Sequence, residues 1–224
     1  MMGKWVLVTE PVPHLRLETG HPFLLLFSTR HGLDFLRRYS VSGFCYLKQV
    51  HGSRIIKVNE EFCPSGDVEA DGILIAEREV FAGIRVADCY PVFIGDPVRK
   101  KAVLLHAGWR GLKADIIGAG LDLLLKAGSD ARDLIAAVGP GISAQVYEVG
   151  IDVGTLFPGF VRRKNGKLFL DLREFIRVEL LKRGIAEENL VFAPYCTYRD
   201  DRLFHSRRRE GKNTGYMWAI MGLV

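Results

Sequence analysis

The sequence predicts an α+β fold in which mixed β-sheets are covered by helices. Apolar runs of strand length outnumber helical patterns, and they do not alternate with helices as in a series of βαβ units. Two of these runs, 90–95 and 102–106, flank a charged segment with turn-forming residues and predict an antiparallel hairpin. The 224 residues are 48% hydrophobic, and no proline-rich or serine-rich linker divides them. We therefore expect a single domain that spans residues 1–224.

The individual elements follow from the hydrophobic pattern. Short apolar runs bounded by glycine, proline or polar residues predict strands at 23–28, 43–50, 72–76, 80–88, 90–95, 102–106, 134–138, 168–170 and 190–193. Apolar residues at helical spacing predict helices at 113–127, 147–157, 172–183 and 213–221. The first of these helices ends at Gly128, and the third begins with a capping-box pattern at Asp171 and Glu174.

Three residues, His51, Cys89 and His106, each lie where an apolar run gives way to glycine, proline or a polar residue. A hairpin register with Ile94 opposite Ala102 places Cys89 beside His106, at the roughly 5–8 Å that separates side chains paired across two strands. His51 is the best third ligand because it also lies between a predicted strand and a glycine. A thiolate and two imidazoles suit zinc, and three protein ligands leave the fourth position open, as in catalytic zinc sites.

Two further residues near this predicted site are candidates for catalysis. Asp88 adjoins Cys89 and is a candidate proton carrier, although a regular strand would direct it to the opposite face. The glycine-flanked segment from His106 to Gly111 leads into a predicted helix, so backbone amides and the Arg110 guanidinium would lie beside the metal. Such a turn binds phosphate or another anion. Taken without the metal, it is an ordinary connection between a strand and a helix.

Eight sequence blocks occur in a fixed order along nearly the whole chain: Thr29-Arg30-His31-Gly32, Gln49-Val50-His51-Gly52, Ala87-Asp88-Cys89-Tyr90-Pro91, His106-Ala107-Gly108-Trp109-Arg110-Gly111, Gly139-Pro140-Gly141-Ile142-Ser143, Tyr147-Glu148-Val149-Gly150, Asp171-Leu172 and Phe204-His205-Ser206-Arg207-Arg208-Arg209. In this order they resemble the laccase-domain family, also called the multicopper polyphenol oxidoreductase or purine nucleoside phosphorylase family. Two positions depart from the family pattern: Leu33 replaces a frequent second glycine, and Tyr216 replaces a frequent arginine.

The resemblance implies a four-layer αββα arrangement and a zinc-dependent enzyme acting on purine nucleosides. It implies phosphorolysis of adenosine, inosine or methylthioadenosine, with phosphate as co-substrate, and deamination of adenosine. Arg110 would hold the phosphate, and zinc or its water would stabilise the departing base. Asp88 is the candidate acid for deamination. Ser206 and Arg208 lie in the last block and are candidate substrate-binding residues.

Other activities remain open at this point. The older family name implies copper-dependent oxidation of phenols, but six scattered histidines are too few for a blue-copper centre plus a trinuclear cluster. Copper could still occupy a zinc site, because it generally binds such ligands more tightly. Cys89 as nucleophile and His106 as its base would instead make a cysteine hydrolase, including one that edits peptidoglycan precursors. A purely structural metal is disfavoured because a fourth ligand is missing.

Charge and composition limit the partners and the cellular location that the sequence predicts. The net charge of +5 arises partly from two dense basic runs, but neither is interleaved with aromatic residues, so a nucleic-acid partner is not predicted. No signal peptide pattern and no apolar run of about 18 residues is present, so a membrane partner is not predicted either. The four cysteines show no disulfide-framework spacing. We therefore expect a cytoplasmic protein, and the sequence does not indicate its oligomeric state.

Overall fold

A computed structural model describes residues 3–224 of the chain. The strands are β1 (Lys4–Val8), β2 (His14–Glu18), β3 (Phe23–Ser28), β4 (Cys45–Lys48), β5 (Ile55–Val58), β6 (Ser65–Glu69), β7 (Gly72–Ile75), β8 (Phe81–Val86), β9 (Tyr90–Asp96), β10 (Lys101–Ala107), β11 (Ile135–Val138), β12 (Glu148–Val149), β13 (Val161–Lys164), β14 (Lys167–Leu170), β15 (Leu190–Phe192) and β16 (Met217–Leu223). The α-helices are α1 (Trp109–Lys113), α2 (Ile116–Lys126), α3 (Ile151–Gly154), α4 (Leu172–Lys182) and α5 (Arg207–Glu210). Short 3₁₀ helices lie at Asp34–Tyr39, Ala131–Asp133, Glu187–Asn189 and Gly211–Asn213.

The strands form two large mixed sheets and one small sheet. The first large sheet has the order β1-β2-β3-β16-β8-β4-β6, and the second has the order β15-β11-β9-β10-β7-β5. Most neighbours are antiparallel, but β4 is parallel to both β6 and β8, β5 to β7, and β11 to β15. The small sheet is β12-β14-β13. The predicted α+β class with mixed sheets is therefore confirmed.

Three hydrophobic clusters arrange these elements in four layers. The largest cluster lies between the two large sheets and joins Phe27 and Ile84 of the first sheet to Phe93 of the second. A second cluster packs the other face of the six-stranded sheet against α2 and α4. The third packs the 3₁₀ helix at Asp34–Tyr39 against the outer face of the seven-stranded sheet. The outer layer on that side is thus a 3₁₀ helix and not an α-helix.

The last predicted helix, 213–221, is wrong, because its second half belongs to strand β16. This strand lies between β3 and β8, and Met217 and Met221 face the cluster between the sheets while Ile220 faces the outer cluster. Burial of both faces makes the run continuously apolar, and such a run does not distinguish a strand from a buried helix by periodicity. The predicted helix 147–157 is also wrong, since it contains only β12 and the short α3.

The predicted hairpin exists, but its register differs by one residue. Ala102 pairs with Gly95 and not with Ile94. The side chain of Asp96 accepts hydrogen bonds from the backbone N–H groups of the two residues that begin the turn after Pro97, at 2.9 and 2.8 Å. Both strands therefore extend to the Asp96–Lys101 pair, one residue further than the apolar pattern indicates. The turn chemistry of an aspartate, and not the hydrophobic run, sets this register.

A disulfide bond between Cys45 and Cys63 corrects the prediction from cysteine spacing. Their Cα atoms lie 4.8 Å apart although 18 positions separate them in sequence. The parallel pairing of β4 with β6 brings the two together, because Tyr46 pairs with Ser65 in the adjacent strands. Spacing alone does not reveal a parallel pairing of distant strands. Within residues 3–224, no helix is both long and apolar enough to cross a membrane.

Candidate metal centre

The structure brings the three predicted ligand residues into one cluster. His51 follows β4, Cys89 lies in the turn between β8 and β9, and His106 lies in β10. Their candidate ligand atoms all lie within 4.8 Å of one another, and the two imidazole rings meet edge to face with centroids 4.8 Å apart. We call these residues the His–Cys–His cluster. Among the acidic, histidine and cysteine side chains of residues 3–224, only these three form such a group.

His106 is oriented by the buried carboxylate of Asp71. Its ring Nδ1 lies 2.8 Å from Oδ1 of Asp71, whose side chain is fully buried. An ionised carboxylate only accepts hydrogen bonds, so Nδ1 carries a proton, and Nε2 is the nitrogen whose lone pair can bind a metal once Nε2 has lost its own proton. Burial raises the pKa of Asp71, but hydrogen bonds from His106 and from nearby backbone amides outweigh burial and lower it below its ordinary value. This arrangement is the carboxylate–histidine pair that commonly supports a metal ligand.

The same carboxylate holds the turn that carries His51. The backbone N–H groups of Val50, His51 and Gly52 donate to Asp71 over 3.1, 2.9 and 2.7 Å. His51 has a backbone φ of 61°, a left-handed conformation that residues with a Cβ atom seldom adopt. Three hydrogen bonds to one buried carboxylate stabilise this conformation. Asp71 therefore positions both imidazoles of the cluster.

Cys89 and His106 change each other's protonation. Burial raises the pKa of the Cys89 thiol, but the imidazoles of His106 and His51 outweigh burial and lower it below its ordinary value. Burial lowers the pKa of His106, whereas the Cys89 thiolate and the Asp71 carboxylate outweigh burial and raise it. The cluster therefore favours the thiolate, which is the form of cysteine that binds metals.

The cluster leaves no room for a side chain at position 108. A Cβ atom on Gly108 would lie 2.8 Å from Sγ of Cys89 and 3.2 Å from Cδ2 of His51, closer than packed side chains approach. Gly108 lies between β10 and α1, as the N-cap residue of α1, and the absence of a side chain lets the sulfur and the ring approach the backbone. A thiolate and two imidazoles around this space form a donor set that fits zinc.

Asp88, the predicted proton carrier, uses both carboxylate oxygens in hydrogen bonds. Oδ1 accepts from the hydroxyl of Thr197 at 2.7 Å, and Oδ2 accepts from the hydroxyl of Ser206 at 3.1 Å and the backbone N–H of Arg208 at 2.7 Å. The residue has a φ of 90°, so the chain turns sharply before Cys89. Asp88 thereby joins the turn between β8 and β9 to the segment that begins α5. A catalytic role for Asp88 stays a prediction, and its contacts support a positioning role.

The cluster lies in a pocket of about 320 Å³. Strands β8 and β10, the turn between β8 and β9, helix α5 and the segments next to β4 and β16 contribute to its wall. The residues that line it are Gln49, His51, Arg85, Ala87, Cys89, His106, Arg207, Thr214 and Tyr216. The wall therefore combines the candidate metal ligands with two arginines and one aromatic ring.

The three residues predicted to bind substrate lie outside the wall of this pocket. Arg110 is exposed in α1, with its guanidinium carbon 4.2 Å from the centroid of the Trp109 ring. The guanidinium of Arg208 lies 5.2 Å from the centroid of the Tyr147 ring. Ser206 is fully buried and accepts a hydrogen bond as the N-cap residue of α5. Their predicted contacts with substrate stay predictions.

Several residues of the site were not assigned a role from the sequence. Asp71 precedes a glycine and a buried strand, a pattern that equally describes an ordinary turn. Gln49 belongs to the block Gln49-Val50-His51-Gly52, but only His51 of that block was assigned a role. Arg85 and Arg207 lie in an apolar strand and a basic run, where an arginine usually lies in solvent. Tyr216 was noted only as a departure from the family pattern.

The loop at 206–216 is fixed by Glu210, and it supplies three residues of the pocket. The carboxylate of Glu210 lies 3.0 Å from Nδ1 of His205, accepts from the guanidinium of Arg209 at 2.8 Å, and accepts from the hydroxyl of Thr214 at 3.0 Å. Burial raises the pKa of Glu210, but these hydrogen bonds outweigh burial and lower it to about 2. The loop therefore depends on an ionised Glu210.

Fold and site together define a class of protein: two mixed sheets packed face to face, with one His–Cys–His cluster in a pocket beside them. The chain belongs to the family described as "Multi-copper polyphenol oxidoreductase laccase", whose family model matches residues 33–224. The family expected from the ordered sequence blocks is thus confirmed.

Curated relatives and solved structures agree with this assignment. The chain is 33% identical over 194 residues to a protein of Synechocystis named purine nucleoside phosphorylase, covering 73% of this chain and 74% of that protein. It is 33% identical over 190 residues to one of the same name from Deinococcus radiodurans, covering 83% of this chain and 72% of that protein. The crystal structure of YlmD from Geobacillus stearothermophilus is similar with a TM-score of 0.88 and 25% identity, covering 98% of this chain and 99% of that one.

Proposed function

We propose that this protein is a zinc-dependent purine nucleoside phosphorylase that acts on adenosine, inosine or methylthioadenosine, with adenosine deaminase activity at the same site. The names of the relatives support the reaction class. The observation that carries the proposal is the His–Cys–His cluster, whose ligand atoms lie within 4.8 Å of one another in a pocket. Three ligands leave one tetrahedral position for water or substrate, which is the pattern of a catalytic site.

Zinc is the proposed metal because of the donor set. His51 and His106 would supply imidazole nitrogens, and Cys89 would supply a thiolate, with Asp71 holding both imidazoles in place. When bound there, zinc would supply positive charge for the departing purine and would lower the pKa of a bound water for deamination. Copper is a possible alternative occupant, because it binds most nitrogen and sulfur sites more tightly than zinc does.

Phosphorolysis requires a held nucleophile and a stabilised leaving group. An oxygen of inorganic phosphate forms a bond to C1′ of the ribose while the bond from C1′ to the purine nitrogen breaks. The electron pair of the broken bond leaves with the purine, which then takes a proton. The chain must therefore hold phosphate against the ribose and exclude competing water. The sequence predicts Arg110 for the phosphate.

Deamination would use the same pocket without phosphate. A water oxygen forms a bond to the purine carbon that carries the amino group and gives up a proton. The amino nitrogen takes a proton, and the bond between this nitrogen and the carbon breaks as ammonia leaves. Asp88 is the proton carrier predicted from the sequence. Because its carboxylate accepts three hydrogen bonds from other segments, we expect it to act mainly by positioning the turn that carries Cys89.

The test is turnover of nucleosides by the full-length protein after zinc has been added in equal amount. Adenosine, inosine and methylthioadenosine are each incubated with and without inorganic phosphate, and bases, ribose 1-phosphate and inosine are separated by chromatography. Phosphate-dependent release of base together with ribose 1-phosphate is the expected result. Absence of base release by the zinc-loaded protein would refute the phosphorylase proposal. Inosine formed from adenosine without phosphate is the expected result for the deaminase activity.

A matched pair of cysteine variants makes this test specific. Cys89→Ala removes the ligand, and we expect loss of bound zinc and of turnover. Cys196→Ala removes the other free cysteine, which is buried outside the cluster, and we expect both to be retained. If the two variants behaved alike, the chemistry would not depend on the cluster.

A cysteine hydrolase is the second candidate, because one observation favours it. The lowered pKa of Cys89 and the raised pKa of His106 are also the properties of a thiolate nucleophile with its imidazole partner. A thiolate that binds zinc is not free to attack a substrate. Alkylation of Cys89 in the metal-loaded protein therefore separates the two, since we expect zinc to protect it and a hydrolase would react. An editing hydrolase of peptidoglycan precursors is one form of this second candidate.

Laccase-like oxidation of phenols is the third candidate, and its support is the family description. Multicopper oxidation needs a blue-copper centre and a trinuclear cluster, mostly built from imidazoles. Within residues 3–224, the one cluster has two imidazoles and one thiolate. Any oxidation would therefore require copper at this single site. The proposed partners are purine nucleosides and phosphate, and the predicted cytoplasmic location stays a prediction.

A further inference from the structure

We propose that Arg85 and Arg207 form the phosphate subsite of this pocket, and that Tyr216 and Trp218 hold Arg85 in place. The proposal rests on the phosphorylase function, because it takes the bound anion to be inorganic phosphate. It also differs from the sequence prediction, which gave this role to Arg110. Phosphate chemistry could equally come from a nucleotide, and the two sources bind differently enough to be separated by experiment.

The first observation is the charge of the pocket wall. Its nine residues include two arginines and no aspartate or glutamate. In the part of the chain that the structure describes, neither Arg85 nor Arg207 forms an ion pair with a carboxylate. The positive charges of both guanidinium groups are therefore not neutralised by a carboxylate of the described residues. Such a wall attracts an anion.

The second observation is that the contacts of Arg85 with aromatic rings leave the in-plane N–H groups of its guanidinium free. Its guanidinium carbon lies 5.7 Å from the centroid of the Tyr216 ring and 5.8 Å from that of Trp218. The side-chain amide of Gln49 also fixes its backbone, since it donates to the carbonyl and accepts from the N–H of Arg85, both at 2.8 Å. Aromatic contacts engage the face of a guanidinium and leave its in-plane N–H groups free. These N–H groups match the oxygens of phosphate.

Arg207 also lines the pocket, and its segment is held in place by hydrogen bonds to Asp88 from the neighbouring residues. It is the first residue of α5, directly after the fully buried Ser206, whose hydroxyl donates to Asp88. One of its guanidinium nitrogens donates to the carbonyl of Gly211 at 3.0 Å, and its other guanidinium N–H groups form no hydrogen bond within residues 3–224. Two guanidinium groups on separate elements therefore face the same pocket as the His–Cys–His cluster. An anion held by both lies beside the position left open for substrate.

Binding of inorganic phosphate tests the proposal directly. Isothermal titration calorimetry is carried out on the zinc-loaded full-length protein and on Arg85→Met, Arg207→Met and Arg110→Met. Loss of a charge-assisted hydrogen bond weakens binding by about tenfold or more. We expect this loss for Arg85→Met and Arg207→Met, with an increase of similar size in the KM for phosphate. Unchanged phosphate affinity in both variants, or a loss only in Arg110→Met, would overturn the proposal.

A control and a second ligand complete the test. Arg16 also lies 5.7 Å from an aromatic centroid, that of Tyr39, but outside the pocket, so Arg16→Met controls for loss of a stacked arginine. Thermal unfolding shows whether each variant is folded, and Arg85→Lys, which keeps the charge, is expected to recover part of the affinity. Adenosine 5′-monophosphate is titrated in parallel. If binding of adenosine 5′-monophosphate depended on the two arginines and binding of inorganic phosphate did not, the subsite would serve a nucleotide. The assignment to inorganic phosphate would then be wrong.

The same measurements distinguish failure of the subsite from failure of the function. Phosphate binding that depends on Arg85 and Arg207, without phosphate-dependent release of base, would support the subsite and refute the phosphorylase function. Phosphate-dependent release of base with an unchanged KM in both variants would support the function and refute the subsite.

Discussion

Replacement of Asp71 by asparagine is the substitution that most specifically tests how this site is built. The change keeps the size of the side chain but removes its charge. One oxygen of Asp71 accepts from His51 and His106, and the other accepts from Val50 and Gly52. The asparagine amide presents one oxygen and one NH₂ group, so in either orientation two donors face an NH₂ group.

The two orientations have different consequences for the metal ligands. With the NH₂ group toward His106, Nδ1 must accept the hydrogen bond and Nε2 must carry the proton, which removes the lone pair needed for zinc. With the NH₂ group toward Val50 and Gly52, the turn that holds His51 loses two hydrogen bonds. Loss of such supporting contacts typically lowers metal affinity 10–100-fold, or about 1.4–2.7 kcal/mol.

The assay is competition for zinc against a chromophoric chelator, with thermal unfolding of the metal-free protein measured beside it. Asp96→Asn is the matched control, because Asp96 is also fully buried and accepts two backbone hydrogen bonds at the other end of the hairpin. We expect both variants to lose stability and only Asp71→Asn to lose zinc affinity. Equal zinc affinity of the wild-type protein and Asp71→Asn would refute the role given to this carboxylate.

Three further predictions concern the surroundings of the site. Gly108→Ala should lower zinc affinity by about 1–3 kcal/mol, because the added Cβ crowds the ligands. Gly43→Ala should leave zinc affinity unchanged, because no atom lies within 4 Å of the new Cβ. Competition with a chelator measures the zinc affinity of both variants. Because hydrogen bonds lower the pKa of Glu210 to about 2, its contribution is complete above its ordinary pKa and is lost as the pH falls towards 2. Denaturant unfolding should therefore show Glu210→Gln less stable than wild type at pH 7 and equally stable near pH 2. Cleavage of the disulfide between Cys45 and Cys63, which closes an 18-residue separation, should cost about 3 kcal/mol of unfolding free energy, and equal stability of the reduced protein would contradict this.

The ligands could be predicted from the sequence because each one interrupts an apolar run. His51, Cys89 and His106 follow or end predicted strands, and strand ends converge at the edges of packed sheets. The predicted hairpin register was wrong by one residue, but Cys89 and His106 were still predicted to lie close together, since paired and diagonal neighbours in a hairpin are both close. The family resemblance, carried by ordered blocks, supplied the fold that these local patterns could not.

The remaining parts of the site depend on tertiary structure. Asp71 acts through hydrogen bonds to residues about 20 and 35 positions away in sequence, and no local pattern records such contacts. Arg85 lies in an apolar strand, and its neighbour Trp218 is contributed by β16, the strand predicted as a helix. Because that element was assigned wrongly, the pairing that places the arginine beside the aromatic rings could not be anticipated.

The central claim is that His51, Cys89 and His106 bind one zinc ion. The most direct measurement is elemental analysis of purified protein for zinc and copper, carried out on the wild type, on an alanine variant of each ligand, and on Cys196→Ala as a folded cysteine control. We predict about one zinc per chain in the wild type and the control, as expected for a three-ligand catalytic site, and none in the three ligand variants. A wild-type protein without metal whose Cys89 is rapidly alkylated, or a ligand variant that retains zinc, would contradict the claim.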